Sequence, residues 1–479
     1  MGYLQYFSPY HSLLEHEADE YIIASKDEFR WFPHMWSHME PTRQPQEQLC
    51  DYMTKNKLFQ AEHDLPLMHG YAISPHHTGV YPLYPGLIDC WRQIWNVTIT
   101  STEEYPHLNP EHEHRGFIHQ ELRVLPRQTC FLFTTTLSYK DFPKGPEFLE
   151  QQIEGGMLFE KLALNRLNIF MTHQQNYGNI DRLAIYTFDK LFTIFDQWTN
   201  FNFHQPSSEQ IATMYFEWYP EEIMPLWTNP CDDIRHLEMM AHLPEESITK
   251  CKHLPAVVIV GPQKTGSTAL MDFLELHPDL KRNIDSKTTF EEIQFFSSNE
   301  LYKMGWEWYA DYFPSKSSVV NFEKSATYFT SPDSPERMHS LLPNAKIIII
   351  LRAPDERAYS WYQHQKSHDI KEAVNTPFID ILNSNRTNPG AYALRSRCLD
   401  PGNYIKHIAR WTKFYSPDQL IFVDGDKLTS APAPELNLLQ NELRLTSINF
   451  TDVITYNEKK GYFCSVTSGK TKCLGKSKV

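Results

Sequence analysis

Residues 257–270, Val-Val-Ile-Val-Gly-Pro-Gln-Lys-Thr-Gly-Ser-Thr-Ala-Leu, decide the fold. A β-branched run ends in Gly261. A loop carrying a single lysine, Lys264, follows, and then Ser267 and Thr268 open an apolar, helix-like segment that continues to Leu276. This is the pattern of a strand, a turn and a helix N-terminus. Backbone N–H groups at such a turn, with the helix dipole behind them, bind an anion, and a lysine adds a point charge. A Walker loop places lysine directly after its second glycine. Here Ser267 holds that place and Lys264 sits two residues before Gly266. The loop is therefore read as holding a phosphorylated ligand through Lys264, Thr265, Gly266, Ser267 and Thr268, without the usual ATP–magnesium arrangement.

A second segment refines the ligand. Residues 346–352, Lys-Ile-Ile-Ile-Ile-Leu-Arg, read as a buried strand ending in a cation, and 353–362 as the helix that follows. Arg352 and Ser360 are expected to converge on a second phosphate; the competing reading pairs Arg352 with Asp355. Two phosphate sites at neighbouring strand ends suit a nucleotide phosphorylated at both its 5′ and 3′ positions. Apolar runs at 256–260, 318–322, 346–351 and 420–424, separated by helical segments, predict a parallel sheet covered by helices. Upstream, Cys130–Leu137 and Leu183–Phe188 read as strands. Ser207–Trp218 reads as a helix with an N-cap serine.

PQKTGST (262–268) followed by ILRAPDERAYSWY (350–362) resembles the sulfotransferase superfamily, whose donor is 3′-phosphoadenosine 5′-phosphosulfate (PAPS). TTFEEIQFF (288–296), SWYQHQ (360–365) and GKTKCLGKSK (469–478) narrow the resemblance to the heparan sulfate N-deacetylase/N-sulfotransferase family of the Golgi. So do WFPHMWSHM (31–39), TSTEEYPHL (100–108), GFIH (116–119), LPRQTC (125–130) and MTHQQNYGNIDRL (171–183). The resemblance implies an α/β chain in three parts: an incomplete polysaccharide-deacetylase-like domain (1–225), a disulfide-clamped linker (226–254) and a P-loop-like, PAPS-dependent sulfotransferase domain (255–479). It implies heparan sulfate or heparosan as the glycan partner and the Golgi lumen as the location; no nucleic-acid partner is expected.

The resemblance also assigns roles. Lys264 reaches the oxygen on which charge develops as the donor's bond breaks. Glu292 takes the proton that a glucosamine ammonium must lose before it attacks. Alignment without gaps from Lys264 to the family's TFEE segment places this role on Glu292 rather than Glu291, since adjacent helical residues face different ways; the competing reading makes TFEE no more than a helix start with acids in its first turn. His364, one helical turn after Ser360, orients substrate or moves a proton. The lysine-rich end, with Lys472, Lys476 and Lys478 near a Cys464–Cys473 bridge, resembles a lid over the donor. In the first half, His34 and His38 stand at i, i+4 spacing, the one-face geometry a divalent metal needs. His173 resembles a late catalytic acid. The paired aspartates that deacetylases bring to such a metal are missing upstream, where only Asp19 and Asp27 occur, so deacetylation is expected to be lost.

Composition supports a folded, aromatic-rich protein: 479 residues, 41% hydrophobic and 14% aromatic, enough for two cores. The formal charge of −14 is unevenly spread, with net −17 in residues 1–250 and +3 in 251–479. Residues 459–479 carry six lysines and no acid, a place to draw in a sulfated sugar or a 3′-phosphate. Of eight cysteines, Cys231 with Cys251 and Cys464 with Cys473 have loop-closing spacing, and neither pair has metal-type spacing. Sequons at Asn96, Asn385 and Asn449 fit an oxidising secretory lumen. The resemblance implies an N-terminal transmembrane anchor; no run of eighteen apolar residues occurs, so the chain reads as cut short in front, and also at Val479. The rival readings are a glycan-binding pseudoenzyme and a P-loop nucleotide kinase. The kinase is disfavoured by the absence of lysine after Gly266 and of a clear Walker B aspartate.

Overall fold

The structure, a computed structural model, describes residues 2–3, 21, 23–102, 115–173, 175–178, 181–232, 237, 249–313, 319–467 and 470–473. The chain divides into two units, Met1–Pro225 and Leu226–Val479. No helix among the described residues is long and apolar enough to cross a membrane.

In the first unit, strands β1 (Gly2–Tyr3) and β2 (Trp31–Phe32) pair in parallel. A three-stranded sheet has the order β3 (Ile99–Thr102), β5 (Leu122–Pro126), β4 (Phe117–His119), with β3 parallel and β4 antiparallel to β5. Helix α1 (Gln46–Glu62) is tied to the short helix Pro85–Cys90 by a Cys50–Cys90 disulfide that the sequence reading missed. The expected strand at Leu183–Phe188 is instead the start of helix α2 (Leu183–Trp198). Its buried residues, Leu183, Ala184, Thr187, Leu191, Ile194 and Phe195, recur at helical spacing, a period that a six-residue window cannot reveal. Cys130–Leu137 is a series of turns, not a strand. Phe131 has φ +65, which breaks extended backbone. Helix α3 (Ser208–Trp218) starts as expected, with Ser207 and Gln210 forming a capping box.

The second unit is built on a parallel sheet of five strands in the order β10 (Leu420–Asp424), β9 (Lys346–Leu351), β6 (Val257–Gly261), β8 (Val320–Lys324), β7 (Leu280–Arg282). Every residue of β6 is buried, and Ile347–Ile350 are fully buried, as strands covered on both faces must be. The core adds Leu270, Met271, Phe273 and Leu274 from helix α4 (Ser267–Leu274), then Leu428, Leu436 and Phe450. Helix α5 (Pro354–Ser367) follows β9, and helix α6 (Gly425–Ser430) follows β10. An antiparallel sheet of β11 (Ile454–Asn457), β12 (Tyr462–Thr467) and β13 (Lys470–Lys472) ends the unit. Disulfides close Cys231–Cys251 and Cys464–Cys473.

Candidate functional site

The C-terminal ends of β6, β8, β9 and β10 share one edge of the sheet, where open α/β folds bind ligands. Gly261 leaves β6 with φ +98, and a Cβ there would lie 2.5 Å from the Ala326 carbonyl oxygen, so only glycine fits. The loop that follows is pinned from within and from α5. The buried Thr265 hydroxyl donates to the Pro262 carbonyl at 2.8 Å. The Arg357 guanidinium donates to the Gln263 carbonyl at 3.4 Å, and the Trp361 indole to the Gln263 side chain at 3.2 Å. Gly425 closes the other side: a Cβ there would sit 2.9 Å from the Thr265 carbonyl and 3.0 Å from that of Leu351. Gly266 caps α4 with φ +100, leaving the N–H groups of Ser267 and Thr268 at the helix start.

Lys264 is held half-buried with φ +69. Burial lowers its ammonium from the ordinary range, and the nearby Arg352 guanidinium lowers it further. His364 on α5 is also depressed, first by burial, then by Lys264 and by His368. Its Nδ1 is buried with no hydrogen-bond partner among the described residues. Three basic groups thus lie close enough to repel one another, and no carboxylate answers Lys264 among the described residues. Arg352 is steadied by Glu356 at 2.8 Å and Asp426 at 3.2 Å rather than by Asp355. Ser360 is half-exposed on α5, one turn before His364. Lys472 is exposed on β13, while Lys476 and Lys478 lie outside the described residues.

Glu292 meets this edge through a residue that the sequence reading did not single out. Lys324, the last residue of β8, is 1% exposed; its Nζ lies 2.8 Å from Glu292 Oε1, 3.6 Å from Glu291 Oε1 and 3.2 Å from Thr268 Oγ1. The apolar run was ended at position 322, two residues before the cation. The signal was the one that found Arg352: a basic residue at the end of a buried parallel strand. The expected helix start at TFEE is absent. Ser286 and Phe290 bridge across a turn, Phe290 has φ +58, and both Glu291 and Glu292 reach Lys324. Helical facing therefore does not separate the two glutamates; distance and the second bond, from Gln294 Nε2 to Glu292 Oε2 at 3.4 Å, do. Beside Lys324 lies Glu323, fully buried, accepting from the Tyr309 hydroxyl at 2.9 Å. Burial pushes its carboxyl up to about 8, partly offset by Tyr309 and Tyr328.

In the first unit, His34 and His38 do not lie on a helix. Residues 33–40 are irregular, with Pro33 breaking the pattern. Their rings still stand 5.3 Å apart, and His76 stacks edge-on against His38 at 4.5 Å. His34 Nδ1 pairs with the Ile73 carbonyl at 2.8 Å. Burial lowers His34 to about 4, with His38, Arg127 and His76 contributing. Burial also lowers His38 and His173; His173 acts on His38, and the fully buried Arg127 acts on His173. His173 is fixed by its Nδ1 on the Leu132 carbonyl at 3.1 Å and by its N–H donated to Asn176 at 2.7 Å. The sequence reading found His34, His38 and His173; it missed His76 and Arg127, which are brought in from distant segments. Asp27 is exposed in a short 3-10 turn, and Asp19 lies outside the described residues. Among the described residues no group of three or more His, Cys, Asp or Glu side chains could hold a metal ion. Two imidazoles, one already bonded through Nδ1, do not complete a divalent set.

Residues 1–159 match the family model for the heparan sulfate N-deacetylase deacetylase domain, and residues 254–466 match the sulfotransferase domain model. The chain is 47% identical to bifunctional heparan sulfate N-deacetylase/N-sulfotransferase 4 of Mus musculus over 471 residues, covering 97% of this chain and 53% of that one. It is 47% identical to enzyme 3 of Homo sapiens over 471 residues, again 97% and 53%. To enzyme 1 of Homo sapiens it is 44% identical over 485 residues, 100% of this chain and 54% of that one. The chain spans about half the length of the curated relatives it matches.

Proposed function

We propose, from the premise that the chain belongs to the bifunctional heparan sulfate N-deacetylase/N-sulfotransferase family, that its second unit transfers a sulfuryl group from PAPS to the free amine of glucosamine in heparan sulfate. One observation carries the reading. Lys264, Arg352 and His364 are held together at a strand-and-loop edge where each depresses or is depressed by another positive neighbour. A part-buried lysine with positive neighbours favours an anion bound beside it.

In this reading Lys264 and the backbone of Thr265–Thr268 hold the donor's 5′ end, and Arg352 and Ser360 its 3′-phosphate. Glu292 accepts a proton from the substrate ammonium, freeing the nitrogen lone pair to attack sulfur. As the S–N bond forms, the bond from sulfur to the phosphate oxygen breaks, and Lys264 meets the charge left on that oxygen. Lys324, bridging Glu292 and Thr268, holds the base in place and ties it to the loop that holds the donor. His364, one helical turn after Ser360 on α5, positions substrate. Lys472, exposed on β13, is the described member of the lysine-rich segment proposed to meet the donor. The protein works in the Golgi lumen, where its disulfides persist. The first unit is proposed to release no acetate: His34, His38 and His76 come together there, but among the described residues no group of three or more His, Cys, Asp or Glu side chains could hold a metal ion.

The test is sulfate transfer from PAPS to N-deacetylated heparosan by the full chain, together with calorimetric binding of 3′,5′-adenosine bisphosphate. Transfer by the parent and weakened binding in Lys264→Ala are expected; equal binding by the parent and by the double variant Lys264→Ala with Arg352→Ala overturns the assignment.

A further inference from the structure

The contact of Arg357 with the Gln263 carbonyl accounts for its position but not for its charge. The side chain, on α5, is fully buried. Its guanidinium donates to two carbonyl oxygens, that of Gln263 at 3.4 Å and that of Cys398 in the helix Pro389–Leu399. Its Nε is buried with no hydrogen-bond partner, and no carboxylate pairs with it among the described residues. Burial accordingly lowers the guanidinium from its ordinary range. Neighbouring cations are answered: Lys324 has Glu292 and Glu291, Arg352 has Glu356 and Asp426, and Arg337 has Asp333. Lys264 and Arg357 have no such partner among the described residues, and one peptide joins them.

That peptide, Gln263–Lys264, is trans, so its C=O and N–H point in opposite directions. The carbonyl is turned to Arg357, and the Lys264 N–H is therefore turned away from it. This N–H has no acceptor among the described residues. Trp361, one helical turn after Arg357, fixes the same loop residue by donating to the Gln263 side chain at 3.2 Å. Two side chains of α5 thus set the direction of one peptide dipole, with a cation at its carbonyl end and a free donor at the other.

Taking a guanidinium out of water without a counter-charge is costly. The cost is offset when an anion binds within reach of its field, and the loop that carries the free N–H is the one proposed to hold the donor's 5′ end. Resting on the sulfotransferase reading above, we propose that Arg357 is a positioning residue for the donor's 5′ group: it aims the Lys264 N–H at that group, and its buried charge is balanced by it across the peptide, without contact. Arg357 therefore favours nucleotides that carry an anion on the 5′ side and is indifferent to the 3′-phosphate, which Arg352 and Ser360 are proposed to meet.

Calorimetry on the full chain with two nucleotides separates this role from a structural one. Adenosine 3′-monophosphate differs from 3′,5′-adenosine bisphosphate only in lacking the 5′-phosphate. A loosened α5 weakens both alike, so the ratio of their dissociation constants responds only to what Arg357 does for the 5′ group. Arg357→Gln keeps a donor for the Gln263 carbonyl and removes the charge; it should lower the preference for the bisphosphate about tenfold, the effect of one charge felt across a peptide in a part-buried site. Arg357→Lys keeps the charge and loses the fork, and should hold that preference within about threefold of the parent. An unchanged preference in Arg357→Gln, or a tenfold fall in Arg357→Lys, overturns the proposal while the sulfotransferase reading stands; should Arg357→Gln fail to fold, Arg357→Lys alone decides. A parent that binds neither nucleotide overturns the sulfotransferase reading itself.

Discussion

Where the second unit sets a buried carboxyl, Glu323, next to a buried lysine, the first gathers imidazoles around a buried arginine. Both arrangements take titratable groups out of water, but their proton linkage runs in opposite directions. Glu323 is raised from 4.5 to about 8, so the folded state holds a proton that the unfolded chain has released. Its contribution is complete below about pH 4.5 and is lost as pH rises through about 8. His34 is lowered from 6.5 to about 4, so the folded state holds fewer protons than the unfolded one. Its contribution is present above pH 6.5 and is lost as pH falls through about 4. The difference reflects chemistry. The second unit keeps fixed charges together, with Lys324 balanced by Glu292; in the first, burial disfavours the charged form of His34.

The largest effect expected is from Lys324→Met. It leaves Glu292 and Glu291 facing each other without their cation, and breaking a buried pair costs about 3–5 kcal/mol. Denaturant unfolding of the full chain should show that loss in the transition of the second unit. Next, Lys264→Ala should weaken adenosine bisphosphate binding by about 10- to 100-fold. Arg352→Ala should do less, since that side chain is 26% exposed and shared with two carboxylates. Isothermal calorimetry would rank the two.

The linkage contrast itself can be broken by two further changes. Glu323→Gln keeps an acceptor for Tyr309 and removes the proton, so stability of the second unit should no longer fall between pH 5 and 8. His34→Gln should remove part of the acid sensitivity of the first unit between pH 6.5 and 4. Hydrogen exchange by mass spectrometry, corrected for intrinsic rates, resolves the units separately; identical pH slopes in parent and variants would remove the contrast. The smallest effect expected is from Glu356→Ala: its pair with Arg352 is 56% exposed on the acid side, and its loss should change stability by less than about 0.5 kcal/mol.

The parallel sheet was legible because strands buried on both faces read as unbroken apolar runs, as at Ile347–Ile350. Strand β7 was missed: it has three residues, of which only Leu280 is buried, and it forms the sheet's edge. Helix α2 was read as a strand because its first six residues are apolar enough for either state. The loop residues Lys264–Thr268 follow from local order alone. Lys324 and the His76–Arg127 surroundings of His38 do not, since they depend on segments far apart in the chain meeting in space. Gly425 was equally hidden, its role arising from close approach to Thr265 and Leu351.

The most direct test of the central claim, that the strand-end cluster around Glu292 performs sulfuryl transfer, is single-turnover transfer from PAPS to N-deacetylated heparosan by Glu292→Gln, with donor affinity measured on the same sample. The expected result is donor affinity within about twofold of the parent and a rate reduced by 10²-fold or more, since the substitution keeps shape and removes only the proton acceptor. A parental rate in Glu292→Gln would contradict the assignment and move the base elsewhere, His364 being the first group to examine.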